Sequence, residues 1–453
     1  MGYTTYTCPI AARCGGCELL AVPYPIQLRR KQEHVTQLFS AIAEKDHAAI
    51  EPIRGMDVDG LEPRAYRHKA ATPFAPGRKG RVRAGFYAAG SHRIVACDSC
   101  LVEDPRARAI LNGVARVAER LRVPAYQEDR SRGVLRHAIV RCGWRTDDVL
   151  LTVVANGERL PREREFVEEL RRHCPEVTSA VLNVNQRRTN AMLGATNRTL
   201  FGEGVMHDEL LGCTFEIGPA SFYQTNPAQT ETLYGIAIDA VLGVGAAGGT
   251  RGSARGAGGS AVRDDLHGNV GGGDGNEMRD GTGTDNTAAS DAVVSPHESL
   301  HVIDAYCGTG TIGICLAAEA ALRGACVEVT GVERTPEAIA CARRNARNNG
   351  LAERCEFVSD DATHWLKALA SQEQRPACDA LILDPPRAGS TPQFLEAAAR
   401  LGSLRIIYVS CNPTTQARDI ELLRKRGYRL ARVCPVDMFP HTKHVETVAL
   451  LER

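Results

Sequence analysis

Apolar positions change rhythm several times along this chain. Leu28, Val35, Phe39 and Ile42 recur at helical spacing after Pro25, a residue suited to a first turn, and predict an amphipathic helix over 24–45. From Arg64 to Arg93 the pattern shortens to brief strands and turns. Residues 103–210 then alternate. The expected order is a helix near 104–122, strands near 135–143 and 148–155, a helix near 162–173, and strands near 178–184, 191–193 and around Leu200. A strand from Cys213 to Ile217 leads into a helical run through Leu233, Ile236, Ala237 and Val241. Large apolar residues then all but disappear. Residues 243–291 hold fifteen of the 43 glycines among Ser, Thr, Asn and Asp, and read as a disordered surface insertion.

From residue 301 onward, strands alternate with helices, which predicts an α/β fold with a doubly wound parallel sheet. Its expected strands are His301–Ala305, Cys326–Val332, one near Phe357 and Val358, Ala380–Leu383, and a run from Leu404 to Val409. Three regions follow: 1–100, a cysteine-rich and basic segment; 101–212, a mixed α/β substrate domain; and 213–453, a sheet domain carrying the 243–291 insertion.

Charge changes this picture in one place. A net charge of +1 excludes a generally basic molecule, so any nucleic-acid contact must be local. Arg64 to Arg93 supplies one, with eight Lys or Arg, no acid, and Tyr66, Phe74, Phe86 and Tyr87 interleaved. That composition reads either as a solvated hairpin face or as an RNA-facing surface where cations take phosphates and rings stack on unpaired bases. No apolar run reaches the roughly 18 residues of a membrane span, and the N-terminus lacks a targeting pattern. A cytoplasmic protein without a membrane partner is expected. Sixteen cysteines scattered through apolar segments suit a reducing compartment, which makes clustered ones candidates for metal or catalysis.

Cys8, Cys14 and Cys17 form such a cluster, C-x5-C-x2-C, with Gly15 and Gly16 letting the backbone curl. A fourth thiolate from Cys97 or Cys100 would complete a site for zinc or for an iron–sulfur cluster. The strand ending at Ala305 runs into Tyr306-Cys-Gly-Thr-Gly-Thr-Ile-Gly, and Glu333 follows twenty residues after Gly313. A strand, glycine turn, helix and strand-end acid hold an adenosine ribose, in a dinucleotide or in S-adenosylmethionine. The fourth strand ends in Asp384-Pro-Pro-Arg, a rigid loop able to cover the cofactor. The fifth delivers Cys411 to a strand end, stopped by Asn412 and Pro413. Alone, that cysteine reads as an inert apolar thiol. Beside a cofactor turn and an acid-bearing loop it reads as a nucleophile.

Together these segments resemble the S-adenosylmethionine-dependent RNA uridine-5-methyltransferases. The resemblance rests on Ser221-Phe-Tyr-Gln-Thr-Asn-Pro, Asp304-Ala-Tyr-Cys-Gly-Thr-Gly-Thr, Asp384-Pro-Pro-Arg-Ala-Gly, Ser410-Cys-Asn-Pro-Thr-Thr-Gln-Ala-Arg-Asp and Asp437-Met-Phe-Pro-His-Thr-Lys-His-Val-Glu. It spans the chain apart from the insertion, and implies a class I methyltransferase domain preceded by a mixed α/β RNA-binding domain with an iron–sulfur loop. It implies cofactor contacts from Gln224, Tyr306, Thr311, Glu333 and Asp384, Cys411 as nucleophile and Glu446 as base. The segment Ser91-His92-Arg93-Ile94-Val95 through Cys100 implies that Cys8, Cys14, Cys17 and Cys100 hold a 4Fe–4S cluster, with zinc the alternative and Cys97 a bystander. Many relatives begin with a small β-barrel RNA-binding domain, whereas here the cysteine loop comes first. The expected partner is 23S ribosomal RNA in preference to transfer RNA, with no DNA, and the expected state is a monomer. A non-catalytic RNA-binding factor on the same fold is the alternative from another class.

Overall fold

The computed structural model describes residues 4–56, 62–188, 191–243, 299–374 and 377–453. The predicted disordered insertion lies outside these residues except for Gly243. A helical turn, α1 (Ala11–Cys14), precedes the long helix α2 (Tyr24–Asp46) and a short strand β1 (Ala49–Ile50). Strands β2 (Lys69–Pro76), β3 (Val82–Tyr87), β4 (Ile94–Ala96), β5 (Leu135–Cys142), β6 (Val149–Ala155), β7 (Ser179–Val184) and β8 (Thr196–Phe201) form one sheet in the order β4-β3-β2-β5-β6-β7-β8. The helices α3 (Pro105–Arg120) and α4 (Glu163–His173) lie against it. Ile110, Leu111 and Val114 of α3 and Phe166 and Leu170 of α4 join Val140, Leu151 and Val153 of the strands in one buried cluster. Asp104 caps α3 by accepting from the Arg106 N–H at 2.8 Å, with Pro105 following as the first helical residue.

A hairpin of β9 (Met206–Leu210) and β10 (Cys213–Ile217) leads to helix α5 (Pro227–Leu242). The C-terminal sheet contains β11 (Leu300–Ala305), β12 (Val327–Glu333), β13 (Cys355–Ser359), β14 (Ala380–Leu383), β15 (Arg405–Ser410), β16 (Arg429–Val436) and β17 (Glu446–Glu452). Its order is β1-β16-β17-β15-β14-β11-β12-β13. The connecting helices are α6 (Thr311–Leu322), α7 (Pro336–Asn348), α8 (Ala362–Ala370), α9 (Pro392–Leu401) and α10 (Pro413–Arg424). β13, β12, β11, β14 and β15 are mutually parallel, so their carboxyl ends share one edge, where an open α/β sheet binds its ligand. β17 runs antiparallel to both β15 and β16 and brings its first residue, Glu446, to that edge.

The long N-terminal helix belongs to this second sheet. Val35, Phe39 and Ile42 are buried with Tyr408, Leu430 and Val433, and β1 pairs in parallel with β16. Burying each of these side chains contributes about 1.5–3 kcal/mol, which fixes the helix across the sheet. Lys31 adds a fully enclosed ion pair to Asp437 at 2.5 Å, and Tyr24 donates to the same carboxylate at 2.9 Å. The expected 1–100 segment is therefore shared out: α2 and β1 pack with the C-terminal sheet, while β2, β3 and β4 share a sheet with β5 to β8. The strand expected at 191–193 does not form. The Asn185 amide takes the carbonyls of Ala191 and Met192 at 2.8 and 3.0 Å and holds an irregular loop instead. Among the described residues no helix is long and apolar enough to cross a membrane.

Candidate active site

The ends of β11, β12, β14 and β15 set the positions of most of the expected site residues. β11 ends at Ala305, and Tyr306 turns away with φ 66, a left-handed conformation uncommon outside glycine and concentrated at functional turns. Gly310 follows at φ 78, and a Cβ there would stand 2.7 Å from the Phe357 ring. The tight turn therefore needs glycine, and it starts α6 at Thr311. Asp304 accepts from the Gly313 N–H at 3.2 Å through one oxygen, while its other oxygen is buried without a partner among the described residues.

The loop before α5 closes over this turn. Thr309 donates to the Phe222 carbonyl at 3.5 Å, and Asn226 anchors the loop by donating to the Met438 carbonyl at 3.0 Å. Gln224 is buried within the loop, whereas the Phe222 ring is 65% exposed. The neighbouring Thr225 hydroxyl is buried and unpartnered among the described residues. Thr311 stands 3.4 Å from the Tyr234 hydroxyl of α5. At the end of β12, Glu333 is half-buried and accepts from the Thr335 N–H at 2.8 Å through one oxygen. Glycine backbone, two orphaned buried oxygens and a strand-end acid fit the polar adenosyl group of S-adenosylmethionine. Gln224, Tyr306, Thr311, Glu333 and Asp384 are thus all drawn from strand ends and loops at one edge of the sheet.

Register places the two reacting candidates side by side. Ser410 at the end of β15 pairs with Thr447 of β17, so the next residue, Cys411, lies beside Glu446. The turn around Cys411 is pinned because Asn412 N–H donates to the Ser410 hydroxyl at 3.1 Å. Asn412 and Thr415 also donate to the Arg387 carbonyl at 3.0 and 3.3 Å, clamping the Asp384-Pro-Pro-Arg loop to the start of α10. Gly389 closes that loop at φ 79, where a Cβ would meet the Asp419 carboxylate at 2.6 Å.

Electrostatics sets the resting protonation state. Burial, and secondarily Asp384, push the Glu446 carboxyl up to about 8, with Arg387 opposing. Burial raises Asp384 to about 7, and raises Asp304 to about 7 against the Gly313 hydrogen bond. The Cys411 thiol is also raised, first by burial and then by Glu446 and Asp384, while Arg387 pulls it down. The Cys411 side chain therefore rests as a thiol in the free protein.

A stability prediction follows. Across the window from 4.5 to about 8, folded Glu446 keeps a proton that the unfolded chain has lost, so stability falls as pH rises. The slope is roughly 1.4 kcal/mol per pH unit for that group. Glu446→Gln removes it, so the variant should gain on the wild type between pH 5 and pH 8, measured by urea unfolding. The same stability gap at both pH values contradicts the burial assignment.

The mouth of the site carries residues that the sequence did not single out. A cavity of about 490 Å³ at Cys411 is lined by Arg30, Lys31 and His34 of α2, by Arg387 and by Lys443 and His444. The available signal was the basic run Arg29-Arg30-Lys31 within α2, in a segment whose spacing predicts only an amphipathic helix. The Arg64–Arg93 segment, conversely, is less of an outward surface than its composition predicts. Tyr66 and Phe74 are buried, Phe86 lies 4.4 Å from the Arg108 guanidinium, and burial lowers Lys69 to about 8. Arg78, Lys79, Arg81, Arg83 and Tyr87 remain exposed.

Cys8, Cys14, Cys17 and Cys100 line one small cavity of about 30 Å³, together with Cys97 and Phe86. Gly15, at φ 67, makes the curl between Cys14 and Cys17. Burial raises Cys14 and Cys100, and it raises Cys17 to about 11 with Cys100 adding to the effect. The Cys97 thiol donates to the Ser99 carbonyl at 3.0 Å. As these side chains stand, no group of three or more His, Cys, Asp or Glu among the described residues is placed to hold a metal ion. The donor set and its apolar enclosure suit a thiolate-bound group; the spacing of the thiols is not that of a closed site.

Known proteins give a consistent picture. The family model described as tRNA (Uracil-5-)-methyltransferase matches residues 290–453. An uncharacterized RNA methyltransferase from Halalkalibacterium halodurans is 35% identical over 445 residues, covering 98% of this chain and 82% of the relative. Another from Oceanobacillus iheyensis is 34% identical over 446 residues with the same coverage. The crystal structure of Pyrococcus abyssi tRNA (uracil-54, C5)-methyltransferase in complex with S-adenosyl-L-homocysteine has the same fold, with a TM-score of 0.68, 24% identity, and coverage of 98% of this chain and 87% of that one.

Proposed function

This chain belongs to the S-adenosylmethionine-dependent RNA uracil-5-methyltransferase family, and on that premise we propose that it methylates carbon 5 of a uridine in 23S ribosomal RNA through a covalent bond between Cys411 and carbon 6. The observation that carries the reading is the strand register that sets Cys411 beside Glu446 at the edge holding the glycine turn. Gln224, Tyr306, Thr311, Glu333 and Asp384 hold S-adenosylmethionine in this proposal. When bound, it supplies an electrophilic methyl group and a sulfonium charge that favours ionised Cys411 and Glu446.

Carbon 5 of uracil is a weak nucleophile at neutral pH. Addition of the Cys411 thiolate to carbon 6 forms the S–C6 bond and moves the C5=C6 electron pair into an enolate. Carbon 5 would then bond to the methyl group with the enolate's electron pair, while the bond from that methyl to the sulfonium would break and leave a neutral thioether. Glu446 removes the carbon-5 proton, the S–C6 bond breaks, the double bond re-forms and Cys411 is released. A uridine stacked in a helix hides both faces, so the target is unpaired or flipped. The cations lining the Cys411 cavity, Arg30, Arg387 and Lys443, meet the phosphates around it.

The cysteine loop supports a further part of the reading, a 4Fe–4S cluster on Cys8, Cys14, Cys17 and Cys100. Anaerobically purified protein should contain iron and acid-labile sulfide in equal amounts, and a zinc-only protein rules this out. The matching family and the Pyrococcus abyssi enzyme are both named for tRNA, so transfer RNA is the second reading. Nucleoside analysis of ribosomal and transfer RNA from a deletion strain decides between them. Loss of 5-methyluridine from 23S ribosomal RNA supports the first, and loss from transfer RNA alone supports the second.

A further inference from the structure

A cavity of about 690 Å³ lies on the first sheet and shares no lining residue with the cavity at Cys411. Its floor is built by a bulge. Leu135 pairs with Ala155 and His137 with Val154, which leaves Arg136 as the extra residue of β5. A bulge turns successive side chains that would otherwise face opposite sides of the sheet toward the same side. Arg136 and His137 accordingly both line the cavity.

Both carry an unfilled polar atom. Arg136 is 5% exposed, spends Nη1 on the carbonyls of Asn185 and Arg187 at 2.6 and 2.9 Å, and lies 4.6 Å from the Tyr126 ring centroid. Its Nε is buried with no partner among the described residues, and so is Nδ1 of His137. Burial lowers His137 to about 4, so its ring is neutral at physiological pH and offers a donor and an acceptor rather than charge. On the wall, Tyr87 is 39% exposed and stacks on His92, centroids 5.2 Å apart and 30° between planes, with His92 held by Glu128 at 2.6 Å.

An exposed aromatic face beside two buried, unpaired hydrogen-bonding atoms is the chemistry of a base pocket. Glu128 and Asp129 offset Arg83 and Arg130 at the same cavity, and Arg136, the third cation there, is spent in part on two carbonyls, so the cavity does not favour a free phosphate. From this geometry we infer that the cavity holds an unpaired purine of the RNA substrate, stacked on Tyr87, with its edge read by Arg136 Nε and His137 Nδ1. Adenine suits that pair, since it presents an acceptor nitrogen next to an amino donor. The inference rests on RNA being the substrate, and it adds a second contact that selects the RNA apart from the uridine at Cys411.

The test is binding of a fluorescein-labelled single-stranded oligoadenylate to the full chain at physiological ionic strength. Tyr87→Ala should weaken binding about 5- to 100-fold, Tyr87→Phe should stay within about twofold, and His137→Ala should reduce the preference for oligoadenylate over oligouridylate. S-adenosylmethionine affinity, measured by calorimetry, should be unchanged in all three, which guards against misfolding. Affinity for oligoadenylate that neither Tyr87→Ala nor His137→Ala alters overturns the pocket, even in a protein that methylates uridine. The converse result, ring-dependent adenylate binding by a protein that methylates no uridine, supports the pocket and counts against the proposed reaction alone.

Discussion

Cys411→Ala is expected to abolish methyl transfer to unmodified 23S ribosomal RNA, with a loss of roughly 10⁴-fold or more, while S-adenosylmethionine still binds. The size follows from the chemistry. Without a thiolate at carbon 6, carbon 5 has no developed negative charge, and the remaining groups only position the reactants. Binding should survive because the proposed cofactor contacts come from other strand ends, with the glycine turn after β11 and Glu333 at the end of β12. Transfer of radiolabelled methyl groups, beside calorimetry with the cofactor, measures both. A variant retaining a tenth of wild-type turnover shows that Cys411 is the buried thiol its composition alone would suggest.

Glu446→Gln is expected to act at a later step. The amide keeps the carboxyl's shape but cannot accept the carbon-5 proton, so methylated RNA remains bonded to Cys411. Turnover should fall about 10²- to 10⁴-fold, with a protein–RNA adduct accumulating. The wild-type pH profile carries the same residue's signature. Burial holds Glu446 up to about 8 in the free protein, so the proton-accepting form grows with rising pH and kcat/KM should climb toward that value. In Glu446→Gln the rate of adduct formation should keep only the rise that comes from ionisation of the Cys411 thiol. A wild-type rate that falls across the same range contradicts the base assignment.

Local signals carried part of this account, and their reach has a physical limit. The glycine turn after Ala305, the Asp384-Pro-Pro-Arg loop and the strand-end cysteine were legible because strand, turn and helix there are specified by neighbouring residues. β14 spans Ala380–Leu383 as expected, and β11 and β12 shift by one residue. Long-range pairing was not legible. Nothing within 429–452 announces that β17 runs antiparallel between β15 and β16, and its pairing with β15 sets Glu446 against Cys411. The direction taken by α2 was hidden for the same reason. Its apolar stripe specifies burial without naming a partner, and the partners Asp437 and His441 lie more than 400 residues away in sequence. The basic segment failed differently. Strand alternation sends part of its side chains inward, so Phe74 joined the interior while Arg83 and Tyr87 stayed out.

The central claim is a covalent bond between one thiol and RNA, made before the carbon-5 proton leaves. It is tested most directly on a denaturing gel with end-labelled 23S ribosomal RNA fragments, S-adenosylmethionine, the Glu446→Gln protein and the Cys411→Ala/Glu446→Gln double variant. A band at the combined mass with the single variant, absent with the double, is the predicted result. A band that persists without Cys411 contradicts the account.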